Sequence, residues 1–217
     1  MQSTASSLQR PISIPVAWGP VRRRPLIDAV LALAVLVAVA PLLALIALAI
    51  KLEAPFAPAL FSQERTGLHG RRFRMLKFRT MVLDAEALKP MLVQRSLVAW
   101  PDFRVADDPR ITRVGYWLRR FALDELPNLV NVVRGEMRLV GPRPTSFSVQ
   151  TYEPWQRSRL AVLPGVTGLW QISPNRDEGF DARVRQDLEY EQKRGCGSDL
   201  CVVVMTLPAV LRRRTAY

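Results

Sequence analysis

Histidine and cysteine are almost missing from this chain: His69 stands alone, and Cys196 and Cys201 are the only thiols. A zinc framework needs several such ligands at set spacings, so none is available. So few thiols fit a reducing compartment, with both of them chemically inert. Acidic residues are also scarce beside basic ones, 19 against 31, and the net charge of +12 suits an anionic partner. Nucleic acid, acidic lipid headgroups and a phosphorylated substrate all answer to that description, and charge alone does not choose among them. Internal repeats and low-complexity tracts are absent. The 217 residues leave no room for a second large domain.

Long apolar runs are lacking too, with one exception. From Ala29 to Ile50 no residue carries a charge, and almost all are Ala, Val, Leu or Ile. That length is enough to cross a hydrocarbon core of ~30 Å. Lys51, Glu53 and two prolines follow it, so it reads as a retained segment rather than a cleaved signal. Basic residues flank both ends, Arg22 to Arg24 before it and Lys51, Arg65, Arg71, Arg72 and Arg74 after it. Each end therefore carries the charge expected of a cytoplasmic side. Ala40-Pro41 lies mid-run, where proline removes a donor and bends a helix. On these residues alone, a spanning helix and a bent one returning to its own leaflet both stay open. Asp28, beside Arg24, belongs at headgroup level, with Trp18, Phe56 and Phe61 as anchors at the same depth.

The chain divides into an irregular arm over 1–21, the apolar helix region over 22–59 and a compact domain over 60–217. The domain reads as α/β and rich in helices. Leu60 to Ser62 and Phe73 to Phe78 are expected to pair as a small β-hairpin turning at Gly67 to Gly70. Helices are expected over Val82 to Leu97, Val114 to Phe121, Phe180 to Lys193 and Leu200 to Leu211. The last is too short to span a membrane and suits an interfacial amphipathic or core helix.

The stretch LDELPNLVNVVRGEMRLVGPRP, 123–144, concentrates the chemistry. Leu126, Leu129, Val130 and Val133 repeat at helical spacing, and Gly135 is a fitting stop. Asp124 and Glu125 then fall at a helix N-terminus, where backbone amides favour negative charge. By itself such a pair is usually a cap and nothing more. The surroundings argue otherwise: Lys77 and Arg79 in KFRT, Arg110 in DPRIT, Arg119, and Arg143 in GPRP all lie in short segments punctuated by Pro or Gly. Arginine forks bind phosphate oxygens, and two carboxylates among them hold Mg2+ or act as nucleophile. Acid, metal and arginine together point to phosphoryl transfer.

KFRTM, DPRITRVGYWLRR, the quoted block and PGVTGLWQI, in that order after a proline-broken apolar helix, closely resemble the bacterial sugar transferase family, the monotopic polyprenyl-phosphate phosphoglycosyl transferases. The resemblance covers about residues 22–212. It implies a re-entrant helix with both ends cytoplasmic and a catalytic domain facing the cytoplasm at the bacterial inner membrane. It further implies transfer of a phosphosugar from a UDP-sugar to undecaprenyl phosphate, with release of UMP. Asp124 matches the attacking aspartate and Glu125 the Mg2+-binding residue, while Lys77, Arg79, Arg119 and Arg143 match positions near the phosphates. Arg110 is assigned to the same phosphate-binding set. Asp187 in QDLEY aligns with a family aspartate that would join the metal, although a plain surface aspartate is the simpler reading. Pro164 and Gly165 are expected to shape a loop. Two departures stand out: Ala40 replaces the usual serine before the proline, and QISPNRDEGF leaves Arg176 as counterpart of a family arginine. The extra N-terminal helices of larger relatives are not seen, so a minimal catalytic unit is expected. Membrane lipids and a second copy of the chain are the other partners to expect; no nucleic-acid module appears. The competing reading is a membrane-surface scaffold in which Asp124 only caps a helix.

Overall fold

The computed structural model describes residues 25–97, 103, 105–173 and 179–211. Arg176, Trp18 and the arginines at 22–24 lie outside the described residues. The apolar run forms two helices, α1 (Pro25–Ala38) and α2 (Ala40–Glu53), which meet at Val39 with a bend of 63°. Pro41 sits in the first turn of α2, where a missing N–H costs nothing. No side chain caps that turn, so the bend needs no serine hydroxyl at position 40. Backbone bonds continue on both sides, Val39 N to Val35 O and Leu43 N to Val39 O, each 2.9 Å. No single described helix is long and apolar enough to cross a membrane; only the bent pair passes that test together.

Each arm of the pair has an inner and an outer face. Ala32 is buried among Met75, Leu129, Val132 and Met137, with Leu36 alongside. Ile46 and Ile50 are buried against Phe78 and Leu118. Leu26, Val30, Leu33, Val37, Leu45 and Leu48 are exposed on the outer faces, and Phe56 beyond them is 96% exposed. That is far more apolar surface than the scattered single side chains of an ordinary protein exterior.

Two short sheets complete the α/β, helix-rich fold. β1 (Leu60–Thr66) and β2 (Arg72–Phe78) form the expected antiparallel hairpin, in register from Leu60↔Phe78 to Thr66↔Arg72. The first strand runs four residues past Ser62 because its inward side is Phe61, Gln63 and Arg65 rather than an apolar row. A single 3-10 turn over Leu68–Gly70 closes it, with His69 and Gly70 at positive φ. The second sheet is unanticipated: β3 (Arg138–Val140) pairs in parallel with β4 (Gly165–Thr167). Pro164 and Gly165 are therefore not simply loop. Arg138 N donates to Pro164 O at 2.7 Å, and Gly165 opens the strand. A Cβ on Gly165 would stand 2.1 Å from Gly141 N, so only glycine lets the PGVTG segment lie against the GPRP loop.

The helix expected over 82–97 is shorter, α3 (Ala85–Leu92) with a 3-10 turn at Val93–Arg95. Met81 bridges Ile111 and Val82 N bonds Arg110 O, which holds the first residues out of the helix. α4 (Arg113–Arg120) is capped by Thr112, whose hydroxyl accepts from Gly115 N at 3.0 Å. Then follow α5 (Asn128–Val133), α6 (Leu169–Ile172), α7 (Gly179–Lys193) and α8 (Cys196–Leu211). α8 buries Val202 and exposes Leu200, Val203, Val204 and Leu207, so it is apolar on its outer face as well as its inner one rather than amphipathic.

Asp28 differs from its expected role at a lipid headgroup. Its carboxylate turns inward and accepts from Arg138 Nε at 2.7 Å, with side-chain exposures of 13% and 7%. Arg138 also lies 3.5 Å from Asp199 on α8, so one buried guanidinium joins α1, β3 and α8. Removing one partner of such a group strands the other. Asp28→Ala should cost on the order of 3 kcal/mol, seen as a lowered melting temperature in detergent. Wild-type melting would show that Arg138 does not depend on Asp28.

Candidate active site

Asp124 and Glu125 do not begin an α-helix. They sit in a 3-10 turn, Leu123–Glu125, entered through Ala122 at φ 53 and followed by Pro127, so that α5 starts only at Asn128. Pro127 has no N–H to donate, which interrupts the bond ladder between the turn and the helix although Leu126 and Pro127 both keep helical dihedrals. The buried side of α5 is also rotated from the one the apolar spacing suggests. Asn128, Leu129, Asn131 and Val132 are buried, whereas Val133 is 38% exposed. The reason is polar: Asn131 Oδ1 accepts from Leu76 N at 3.0 Å and Nδ2 donates to Arg74 O at 2.8 Å. That grip brings β2 beside the turn and sets Lys77 facing the two acids. Gly135, at φ 73, ends the helix as expected.

Lys77 Nζ donates to Glu125 Oε1 at 3.1 Å and stands 3.9 Å from Asp124 Oδ2. Arg143 closes on the same Glu125 with both ends of its fork, Nη1 to Oε2 at 3.1 Å and Nη2 to Oε1. Glu125 is thus clamped, while Asp124 is 9% exposed and held mainly by charge at a distance. Burial pushes the Asp124 carboxyl above the usual range, against the pull of Lys77, and neighbouring Glu125 adds to the rise. Burial also draws Lys77 below its usual value, although both carboxylates oppose this. A poorly solvated carboxylate beside a shifted lysine, at the edge of a cavity, makes Asp124 the candidate reactive group.

The acids open into a cavity of about 420 Å³ that is also lined by Lys77, Arg79, Arg110, Arg119 and Arg143. Five of the six predicted cations are therefore brought together, but they differ in what they already hold. Arg119 Nε donates to Thr80 Oγ1 at 2.8 Å. Arg79 Nε donates to Pro58 O at 2.9 Å, with its guanidinium 5.5 Å from the Phe61 ring centroid. Arg110 is committed elsewhere: Nε and Nη2 grip Asp108 at 2.8 and 2.6 Å, and Nη1 donates to Ala85 O at 3.1 Å. It braces the cavity wall instead of offering its fork to a phosphate. Its hydrogen bonds hold the Asp108 carboxyl below the usual range.

Asp187 does not line the cavity. It is buried against Arg159, whose Nη2 donates to Asp187 Oδ2 at 2.6 Å and to Arg143 O at 2.9 Å. Its link to the acids is thus mechanical, fixing the backbone that carries Arg143. Sequence reasoning overlooked Phe61, Gln63 and Arg65, which line the cavity from β1. Their alternation at period two was the available signal. Arg159 gave none, because its partner is 28 residues away.

Among the described residues no group of three or more His, Cys, Asp or Glu is set to hold a metal by itself. Mg2+ needs less: one or two carboxylates, with phosphate oxygens and water completing its shell. Asp124 and Glu125 meet that number, but Lys77 and Arg143 occupy both Glu125 oxygens, so a metal would have to displace one of these cations.

Residues 21–213 match the family of bacterial sugar transferases. The chain belongs to that family. Within it, the chain is 34% identical to the exopolysaccharide production protein ExoY of Sinorhizobium fredii, over the full length of both. It is 40% identical to the UDP-glucose:undecaprenyl-phosphate glucose-1-phosphate transferase of Caulobacter vibrioides, across 90% of this chain and 72% of that one. It is 39% identical to the undecaprenyl-phosphate galactose phosphotransferase of Salmonella typhimurium, across 88% of this chain and 40% of that one. Some family members are much longer, and the chain spans 34–40% of three of them.

The raised pKa of Asp124 has a consequence for stability. A carboxyl that binds its proton more tightly when folded contributes stability below its unfolded pKa of about 4 and loses it as pH rises through the folded value. Asp124→Asn carries no such charge. Its melting temperature should therefore gain on the wild type as pH is raised from about 4 towards neutrality. A constant difference across a thermal-unfolding series would show that Asp124 is fully stabilised as an ion.

Proposed function

We propose that this protein transfers a phosphosugar from a UDP-sugar to undecaprenyl phosphate, releasing UMP, at the cytoplasmic face of a bacterial inner membrane. The reaction would be the first membrane step of cell-surface glycan synthesis. The observation that carries the reading is the buried Asp124 beside a clamped Glu125, in a cationic cavity built on a bent apolar helix pair. Family membership supports it, as do the phosphotransferase activities named for relatives.

A carboxylate oxygen of Asp124 attacks the β-phosphorus of the donor. The bond from that phosphorus to the bridging oxygen breaks, UMP leaves, and the phosphosugar remains on Asp124 as an acyl phosphate. An oxygen of undecaprenyl phosphate then attacks the same phosphorus. The acyl-phosphate bond breaks, the carboxylate is regenerated and a lipid diphosphosugar departs. Burial keeps Asp124 poorly solvated, which favours attack on phosphorus over hydrogen bonding to water. Lys77 and Arg143 orient Glu125 and neutralise phosphate oxygens, and Arg119 extends the same positive wall. Glu125, with Asp124 beside it, would hold Mg2+, whose chemistry there is to neutralise the diphosphate as the nucleotide departs. One site serving a soluble donor and a lipid acceptor in turn predicts ping-pong kinetics. The re-entrant placement of α1 and α2 keeps that site at the headgroup plane, and the outward apolar faces of the pair support it.

The test is UMP release by purified protein in detergent with Mg2+, undecaprenyl phosphate and a panel of UDP-sugars. Asp124→Asn should abolish release and Glu125→Gln should reduce it by about a hundredfold or more. Without acceptor, wild-type protein should gain one phosphosugar in mass, located on the peptide carrying Asp124. Wild-type rates in either variant, or kinetics requiring both substrates bound together, would overturn the mechanism and bring the scaffold reading forward.

A further inference from the structure

Glu125 is crowded with cations for a residue that is to hold a metal. Arg143 takes both of its carboxylate oxygens, Nη1 to Oε2 at 3.1 Å and Nη2 to Oε1, and Lys77 Nζ donates to Oε1 at 3.1 Å. All three side chains are shielded, with exposures of 13% for Glu125, 14% for Lys77 and 24% for Arg143. A forked guanidinium on a shielded carboxylate is among the stronger ion contacts a protein makes. A divalent cation arriving alone would have to break it against the repulsion of Lys77, Arg79 and Arg119 on the same cavity wall.

The two cations differ in how they could give way. Lys77 is nested between the acids, 3.1 Å from Glu125 and 3.9 Å from Asp124, and is the less exposed. Arg143 approaches Glu125 from the GPRP loop and is the more exposed. Its backbone is pinned: Arg159 Nη2 donates to Arg143 O, Gly165 N to Pro142 O and Gly141 N to Thr167 O, each at 2.9 Å. A Cβ on Gly141 would stand 2.8 Å from Leu163 O, so the loop is tightly seated. Movement is therefore confined to the arginine side chain, whose rotatable stem swings the guanidinium within the cavity of about 420 Å³ that it already lines.

The diphosphate of a nucleotide sugar is a dianion. Alone, it would come to rest beside two carboxylates, just as a divalent cation alone would come to rest among basic side chains. Together they bring no net charge. We propose that Arg143 is an exchange residue: its fork leaves Glu125 for the diphosphate oxygens as the donor enters, and the carboxylate so released takes the divalent cation. This inference rests on the reading of the protein as a phosphosugar transferase. Carboxylate and phosphate offer a guanidinium similar pairs of oxygens, so one bidentate contact replaces another. Metal and donor then bind as a unit, each raising the affinity for the other. Until they arrive, the same fork keeps Glu125 from standing as an unpaired shielded charge.

The test reads metal and donor separately. Mn2+, the probe used for Mg2+, is titrated into unloaded protein in detergent, and free Mn2+ is followed by electron paramagnetic resonance. Wild type should bind it weakly, and Arg143→Gln on the order of tenfold more tightly. Arg143→Lys keeps the charge but loses the fork, and should still tighten binding several-fold; it also serves if the glutamine form fails to fold. Adding Glu125→Gln to either variant should remove the gain. With Mg2+, undecaprenyl phosphate and the UDP-sugar that supports UMP release, both Arg143 variants should show a donor KM raised about tenfold. One substitution thus strengthens metal binding while weakening donor binding, whereas a purely structural role for Arg143 would weaken both. Mn2+ affinity in wild type equal to that in both variants would overturn the exchange. So would a gain in Arg143→Gln that Arg143→Lys does not share, because charge alone would then account for it. Absence of UMP release from every UDP-sugar, with the Mn2+ result as expected, would instead remove the transferase reading and leave Arg143 as a competitor of the metal.

Discussion

A carboxylate taken out of water stays charged only where opposite charge is held close to it. Asp124 imposes that requirement on the whole domain. Lys77 reaches it from β2, and β2 is kept in place by the side chain of Asn131 on α5. Arg143 reaches neighbouring Glu125 from the GPRP loop, and that loop is kept in place by glycine backbone contacts and by Arg159. Two otherwise separate stretches of chain are thus tied to one turn. The tension is visible in the charges themselves, since burial raises the Asp124 carboxyl and lowers the Lys77 amine at the same time. Each group opposes part of the shift that burial imposes on the other.

The bent helix pair belongs to the same construction. Ala32 and Ile50 are both buried, one against Met75 and Val132, the other against Phe78 and Leu118. Met75 and Phe78 lie on either side of Lys77 along β2, the first packed with α1 and the second with α2, so both helices hold the strand that supplies the lysine. The Asp28–Arg138–Asp199 group adds a polar fastening to this apolar seam. A helix pair packed in this way is built into the same unit as the turn that carries the two acids.

What the residues disclosed in advance, and what they did not, follows from the range of the interactions involved. Local rules worked: Gly135 ended its helix, Pro41 marked the bend, and the hairpin paired where its turn residues placed it. The clustering of Lys77, Arg119 and Arg143 around two acids was legible because each sits in a short punctuated motif. Failure came where a partner lay far along the chain. Asp28 answers to Arg138 across 110 residues, so it passed for a headgroup residue. Asp187 read as a possible ligand, yet it is bound up with Arg159, 28 residues away. Arg110 misled for the opposite reason, since the partner that takes its fork is Asp108, two residues before it. The parallel pairing of β3 with β4 likewise joins two three-residue segments too short to show a pattern. Apolar spacing in α5 misled for another reason, since its inward face is set partly by two asparagines.

The hairpin strand β1 has a consequence for how this protein can vary. Phe61, Gln63 and Arg65 face the cavity, while Leu60, Ser62 and Glu64 between them are exposed. Neighbouring codons along seven residues therefore answer to different selective demands, one set to solubility and sheet formation, the other to whatever occupies the cavity. Change in this segment is expected to accumulate as a comb, every second tooth free to drift and every other one held until the ligand itself changes.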